Sequence, residues 1–395
     1  MQKVLRFLLA FIVLLWTPYK STAQMPVTIL QKKWQEYNTN LELLKKEYPN
    51  HRQMPAIDFY LFGMGDRKKM VYKNGNLVDA VSGDTLYHWN IKTELIVPSE
   101  YYVYLKTAAG KEVHIFENEK GVYLKQGKSL EELSKSFIHL PDFKGHLFAP
   151  VLKVLHHEIL INIINGKPVP DFFVYKKPWY RDATLMGKVL QQTRNLHLIK
   201  DWIMSIRDPF DRNNHGISEA DNLGEVLFLV SLVSNVSHPV VKTIMDTTRQ
   251  FVKQGADGYY LEGKTDYALH PVFQTKWIKY GLKSLHLPDS FHIPNAYDSY
   301  SSLFWWDYKT QHVAGARFDK GSSENYPYLV WAEDHFFGEQ KGIVSERSYP
   351  LSWEAYASDA YYPGMKVIDE KLVSMKLSMP HTWHAAEMFL LLIEK

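Results

Sequence analysis

The sequence predicts a mainly α protein, with a small antiparallel β-rich region followed by helices joined in hairpins. Three observations predict it. From about Asp58 to Gln126, segments rich in Val, Ile, Thr and Tyr are separated by turn-forming clusters. After about Ser129 the apolar residues change to helical spacing and keep it to the end of the chain. The connections between these helical stretches are short, which favours antiparallel neighbours. With 395 residues, 46% hydrophobic and 23% charged, the chain can bury a large core without the composition of a disordered protein.

Residues 1–23 read as an export signal. Lys3 and Arg6 form a basic start, Phe7 to Trp16 is apolar, and Ser21-Thr22-Ala23 offers small residues for cleavage near Ala23. The apolar run is too short to span a bilayer, and no later run is long enough, so no membrane span is expected. Residues 28 to 47 then read as a helix carrying Leu30, Trp34, Leu41 and Leu44. Five to seven strands follow, among them Leu86 to Val97, Tyr101 to Lys106 and Glu112 to Phe116. Their turn signals are Lys73-Asn74-Gly75-Asn76, Ser82-Gly83-Asp84 and Ala109-Gly110-Lys111. Helical spacing resumes at Leu155, Ile159 and Ile163 and stops at Gly166-Lys167-Pro168. Further helices are expected over 183–193, 196–205, 220–234, 239–254, 271–285, 326–337, 352–360 and 383–394, ten to twelve in all.

Charge and cysteine narrow the function classes. Lys and Arg total 46 against 43 acids, but the signal carries Lys3, Arg6 and Lys20 and no acid. The exported chain would therefore be neutral, which argues against nucleic acid and anionic membranes as partners. The chain has no cysteine, which excludes disulfides, thiolate metal sites and a cysteine nucleophile. An exported protein held by its core alone points to a bacterial periplasmic or secreted protein. Aromatic residues reach 14%, enough to line a sugar cleft as well as a core.

The chemistry-bearing segment is Lys177-Pro178-Trp179-Tyr180-Arg181-Asp182-Ala183, an Arg-Asp pair behind a Trp at the mouth of a helix. Taken alone, such a pair reads as a helix cap and an ion pair. Trp-x-Arg-Asp-Ala also resembles the substrate-binding segment of six-hairpin glycosidases, in particular the glucoamylase-like enzymes of glycoside hydrolase family 15. Three further segments follow in that family's order. His215-Gly216-Ile217-Ser218-Glu219 resembles the stretch holding the general acid. Gly342-Ile343-Val344-Ser345-Glu346 resembles the stretch holding the general base, and Met379-Pro380-His381-Thr382-Trp383 resembles the start of the last inner helix.

The resemblance implies an (α/α)6-type toroid over residues 136–395, after an N-terminal helix and β-rich region over 24–135. It implies an exported, exo-acting, inverting glycoside hydrolase acting on an oligo- or polysaccharide. Arg181 and Asp182 would hold the terminal sugar, Glu219 would give the proton and Glu346 would activate water. Inverting chemistry sets such carboxyls roughly 6.5–9.5 Å apart to leave room for that water. Asp221 and Glu225 would line the same site, where a neighbouring negative charge raises the acid's pKa. Asp221 also fits a first-turn acid favoured by the helix dipole, and Glu225 is an alternative proton donor. Trp179, Trp331 and Trp383 are the rings expected nearest the sugar.

Other constellations carry less. His156-His157-Glu158 does not put its histidines on one face, and Asp211-Arg212-Asn213-Asn214-His215-Gly216 departs from a calcium loop at His215 and Asn222. No metal and no cofactor is expected, and a monomer is expected. Glu324 to His335, and Asp298, Tyr300, Trp305, Trp306 and Asp307, mix acids with rings in the manner of a cleft or a core. Two rival functions remain. One is a polysaccharide lyase or unsaturated uronyl hydrolase using Tyr180, His215 and His335, and the other is a non-catalytic glycan-binding protein.

Overall fold

The structure, a computed structural model, describes residues 25–46, 58–300 (except 174, 176, 297 and 299), 353–354, 379–380 and 382–393. The first described element is helix α1 (Val27–Lys46), and its core-facing stripe is Leu30, Tyr37 and Leu41. Trp34, expected on that stripe, is 43% exposed. The β texture is richer than expected. Strands β1 (Phe59–Phe62), β2 (Met70–Lys73), β3 (Asn76–Asp79) and β4 (Thr85–His88) form one antiparallel sheet in that order. Strands β5 (Ile91–Val97), β6 (Tyr102–Thr107), β7 (Glu112–Glu117), β8 (Gly121–Gln126) and β9 (Ser129–Lys135) form a second antiparallel meander.

The turn chemistry explains the pairing. Asn74 (φ 48°) and Gly75 (φ 75°) both take left-handed conformations between β2 and β3. That is the two-residue hairpin turn whose twist matches the flanking strands. The segment Leu86 to Val97, one run in the sequence, is divided at Trp89-Asn90 and contributes to both sheets.

After β9 come α2 (Ala149–Ile161), the short pair β10 (Ile163–Ile164) and β11 (Lys167–Pro168), α3 (Tyr180–Gln192), α4 (Lys200–Ser205), α5 (Asp221–Val233) and α6 (Pro239–Thr248). Two small hairpins follow, β12 (Val252–Gln254) with β13 (Tyr259–Leu261) and β14 (Lys264–Thr265) with β15 (Ala268–Leu269). Helix α7 (Pro271–Ser284), the pair β16 (Trp353–Glu354) and β17 (Met379–Pro380), and α8 (Thr382–Leu392) complete the described elements.

These helices pack side by side as an arc in the order α2, α8, α3, α5, α7. Neighbours in its working half run parallel. Gly187 of α3 lies against Leu229 and Leu232 of α5, and the Thr184 hydroxyl reaches the Glu225 carbonyl one turn earlier on both helices. On α5 and α7, Gly224 sits on the backbone of Trp277 and Ile278, and Gly281 sits on Gly224 and Leu227. A Cβ at Gly224 would lie 2.1 Å from the Trp277 carbonyl carbon, so glycine is what permits this close crossing. The N-termini of α3, α5, α7 and α8 consequently meet at one end.

The architecture is mixed α/β, which overturns the mainly α toroid and with it the resemblance to the six-hairpin, family-15-like glycosidases. Among the described residues there are eight helices and two substantial antiparallel sheets, not a ring of helical hairpins. Hydrophobic spacing identifies a helix but does not say which helix it packs on or in which direction. Here parallel neighbours are joined through short helices and β-hairpins rather than by tight helix-to-helix turns. Residues 353–354, expected within a helix, form a strand, and the helix expected over 326–337 lies outside the described residues. One continuous core runs from Tyr37 and Phe62 through Val103 and Leu155 to Leu229 and Phe389, joining sheets and helices. Among the described residues no helix is long and apolar enough to cross a membrane.

Candidate functional site

The site forms where the four helix N-termini meet. Trp179 holds an extended conformation immediately before α3, and the Tyr180 N–H donates to Asp211 Oδ2 at 2.8 Å. Asp211 therefore caps α3 from the loop ahead of α5. That loop, which resembled a calcium loop in part, is tied by its own side chains. Asp211 Oδ1 accepts from Asn213 N, and Asn213 Nδ2 donates to the Pro178 carbonyl. Burial raises the Asp211 carboxyl above its ordinary range, against the pull of these N–H donors.

Arg181 is the centre of the site. Its Nη1 donates to Asp221 Oδ2 at 3.0 Å and to Glu219 Oε2 at 3.3 Å, and its Nη2 donates to Asp266 Oδ1 at 2.8 Å. The guanidinium carbon lies 5.5 Å from the Trp179 ring centroid and 5.6 Å from that of Trp383, a distance at which ring faces attract a cation. Burial disfavours the Arg181 charge, yet Asp266, Asp221, Glu219 and Glu225 outweigh it and keep Arg181 protonated.

The carboxyls around Arg181 are unequal. Asp221 is fully buried, and its Oδ1 accepts from the Thr265 hydroxyl at 2.7 Å; Thr265 in turn accepts from Gln274 Nε2 of α7. Glu219 Oε1 accepts from Asn214 Nδ2 at 2.9 Å and from the Asp266 N–H at 2.6 Å. Burial pushes the Glu219 carboxyl up and Asp221 adds to this, while Arg181 and the N–H donors pull it back only in part. Glu225, one turn into α5, is fully buried and raised well above its usual range by burial and then by Asp221. Its Oε2 accepts from Asn222 Nδ2, and its Oε1 has no partner.

Asp266 goes the other way. Burial alone would raise it, but Arg181, the Asn214 amide and the Tyr300 hydroxyl hold it below the ordinary carboxylate range. Asn214 Nδ2 reaches its Oδ1 at 2.7 Å, and the Tyr300 hydroxyl donates to its Oδ2 at 2.9 Å. Its side chain is 28% exposed, against 2% for Glu219. Tyr300 is set in turn by its neighbours. Its ring stacks on His270 at 3.9 Å between centroids, and Asp298 accepts from Tyr300 N, from Phe273 N and from the His270 ring.

Of the residues singled out in the sequence, the fold gathers Trp179, Arg181, Glu219, Asp221, Glu225 and Trp383. Asp182 caps α8: its Oδ1 accepts from the Thr382 hydroxyl at 3.1 Å and the Trp383 N–H at 3.2 Å. Glu346 and Trp331 lie outside the described residues, as do Trp305, Trp306, Asp307 and His335. Among the described residues no group of three or more His, Asp or Glu is arranged to hold a metal ion. In this carboxyl-rich cluster the central position is taken by Arg181.

Sequence reasoning missed Asp266 and Asn214 as site residues. The signal for Asp266 was a two-residue turn, Asp266-Tyr267, between two short strands. Aspartate tolerates the left-handed conformation such turns need, but nothing local says that this turn meets Arg181. Comparison with protein-family models, curated proteins and solved structures found no match to this chain.

Proposed function

We propose that the protein is an exported glycoside hydrolase acting on a neutral carbohydrate, with Glu219 as the proton donor. One observation carries this. Two carboxyls on the same arginine are driven in opposite directions, Glu219 towards the protonated acid and Asp266 towards the carboxylate. Paired carboxyls with separated pKa values are what acid–base cleavage of a glycosidic bond requires. The half-buried rings of Trp179 and Tyr300 beside them offer apolar faces for the C–H surface of a sugar. The basic and apolar start of the chain supports export to the periplasm or beyond.

The lyase and uronyl alternatives are disfavoured by the same cluster. A uronate needs a free cation, and both terminal nitrogens of Arg181 are committed to carboxylates of the protein. The Tyr180 hydroxyl, a candidate proton-transfer group in that chemistry, donates to the Asp208 carbonyl.

The test is sugar release from a panel of neutral oligosaccharides and aryl glycosides by the full chain and by Glu219→Gln. The expected loss in Glu219→Gln is about 10²–10⁴-fold, the usual contribution of a positioned general acid. Full activity in Glu219→Gln would remove Glu219 from the reaction. A wild-type protein that binds glycans but releases nothing would make it a binder.

A further inference from the structure

We propose that Tyr267 and His215 form a sugar-binding platform at the exposed edge of the Arg181 cluster, where a neutral glycan lies on the solvent side of Asp266. The class of ligand rests on the glycosidase proposal, but the platform needs no carboxyl to react.

Tyr267 is out of place in its turn. Asp266 (φ 44°) and Tyr267 (φ 70°) are the two residues between β14 and β15. A two-residue hairpin turn with both φ values positive favours Asp-Gly, because glycine takes the second position without steric cost. Here that position holds a tyrosine that is 55% exposed, so core packing does little to offset the strained backbone. Strain kept at an exposed side chain points to a task for that side chain.

The neighbour of Tyr267 is a second exposed ring. His215 also holds a left-handed backbone (φ 50°), on the loop ahead of α5. Its ring centroid lies 6.2 Å from that of Tyr267, with the two planes at 44°. Among the described residues neither the Tyr267 hydroxyl nor a ring nitrogen of His215 makes a hydrogen bond. Two tilted rings open to solvent make a shallow corner. Their faces suit the C–H surface of a pyranose, and their free polar atoms suit its hydroxyls.

The two loops are already anchored. Asn214, next to His215, donates through Nδ2 to Asp266 Oδ1 at 2.7 Å and to Glu219 Oε1 at 2.9 Å. The Asp266 N–H, next to Tyr267, donates to the same Glu219 oxygen at 2.6 Å. Both rings are thus held from the buried cluster before a ligand arrives, which lowers the ordering cost of binding.

Asp266 supplies the polar side of the platform. Its Oδ1 accepts from Arg181 and Asn214, whereas its Oδ2 accepts from the Tyr300 hydroxyl alone. A carboxylate oxygen can take two donors, so Oδ2 has capacity for one sugar hydroxyl, and 28% of the side chain is exposed. Arg181, Asn214 and Tyr300 hold this carboxyl below its ordinary range, so it stays ionised. An ionised acceptor welcomes a hydroxyl and repels the carboxylate of a uronate.

The experiment reads binding rather than turnover. The wild-type chain is screened on an array of neutral and uronate-containing glycans. The neutral oligosaccharide bound best is then titrated by calorimetry into wild type, Tyr267→Phe and Tyr267→Gly. Neutral glycans should be preferred, and Tyr267→Phe should bind close to wild type because it keeps the ring. Tyr267→Gly should bind about 2–10-fold more weakly, the worth of one aromatic contact. Its melting temperature should stay near wild type, because glycine suits the turn. Tyr267→Asn, also at ease in the left-handed region, serves as a second ringless variant. Adding His215→Gly should deepen the loss. Unchanged affinity in both ringless variants, a preference for uronates, or no neutral glycan bound overturns the platform, and sugar release alongside any of these leaves the glycosidase proposal standing. Binding with the expected losses but without release upholds the platform and removes the glycosidase proposal.

Discussion

Among the described residues two arginines are buried among carboxylates, Arg67 beside the sheets and Arg181 in the helical arc, and they are built differently. Arg67 in the β1–β2 loop meets a single acid, Glu117 at 2.9 Å, with both side chains fully buried. Its other bonds go to the carbonyls of Asn118 and Ser136, and Glu117 takes the Gly63 and Met64 N–H groups. Lys69 closes the same loop by donating to the carbonyls of Gly63 and Gly65. One carboxylate meets the guanidinium and backbone groups take most of the remaining bonds, which is how a buried pair staples a loop. Arg181 meets three carboxylates at once, with a fourth close behind, and one of the three faces solvent. Excess acid around one cation pulls the carboxyls in different directions, Glu219 and Glu225 above their ordinary range and Asp266 below it. A matched pair locks a loop, and an over-supplied one is what the proposed proton transfer would draw on.

Breaking each cluster should therefore fail in a different way. Glu117→Gln leaves Arg67 buried without a counter-charge, and stability should fall by about 3–5 kcal/mol in urea denaturation. Activity per folded molecule should be unchanged. Glu219→Gln should do the reverse, losing activity as given above while stability holds or rises. Its raised folded pKa means that ionising this carboxyl costs more in the fold than in the unfolded chain, so the gain from an uncharged amide should grow as pH rises above the carboxyl's ordinary range. If Glu219→Gln instead unfolds the protein, the Arg181 cluster is a staple like that of Arg67.

Two glycines sharpen the contrast between packing and turn chemistry. Gly224→Ala drives a methyl into the backbone of α7, with 2.1 Å to the Trp277 carbonyl carbon, and should cost about 1–3 kcal/mol in thermal melts. Gly110→Ala, in the β6–β7 turn, meets nothing within 4 Å and suffers only from its φ of 78°. Its cost should be about 1 kcal/mol.

An effect spread over several pH units comes from the buried histidines of α2. Burial lowers His156 to about 3 and His157 to about 4. Below about pH 6.5 the unfolded chain takes up protons that the native state refuses. Stability should thus fall as pH drops from about 6.5 towards 4, by up to about 1.4 kcal/mol per unit per histidine. His157→Gln can keep the bond to the Leu61 carbonyl that His157 makes at 2.9 Å, and it should flatten this acid limb in melts between pH 7 and 4.5.

Legibility followed the range of the interactions. Helix α1, the strand-rich region and the Asn74-Gly75 turn are written in spacing and turn residues a few positions apart, and the sequence shows them. The Arg181 segment was visible because Trp, Arg and Asp stand together at a helix start. The cap that Asp182 gives to α8 was hidden because nothing in its own segment reveals Thr382 and Trp383, 200 and 201 residues later. Parallel packing of α3, α5 and α7 was likewise hidden, since it depends on Gly187, Gly224 and Gly281 fitting backbones that are distant in the chain.

By itself the sequence determined the local periods, the turns, the absence of thiol chemistry, and a set of acids and tryptophans near residues 179–225. These depend on neighbours within a turn or two, where backbone sterics and hydrogen bonding act. Only the tertiary structure decided that two antiparallel sheets share one core with an arc of helices rather than standing before a ring of hairpins. It alone decided that Asp266 of a distant hairpin joins Arg181 and Glu219. Burial and Coulomb forces act through space, so the protonation of a carboxyl is set by the groups that folding brings within a few ångströms.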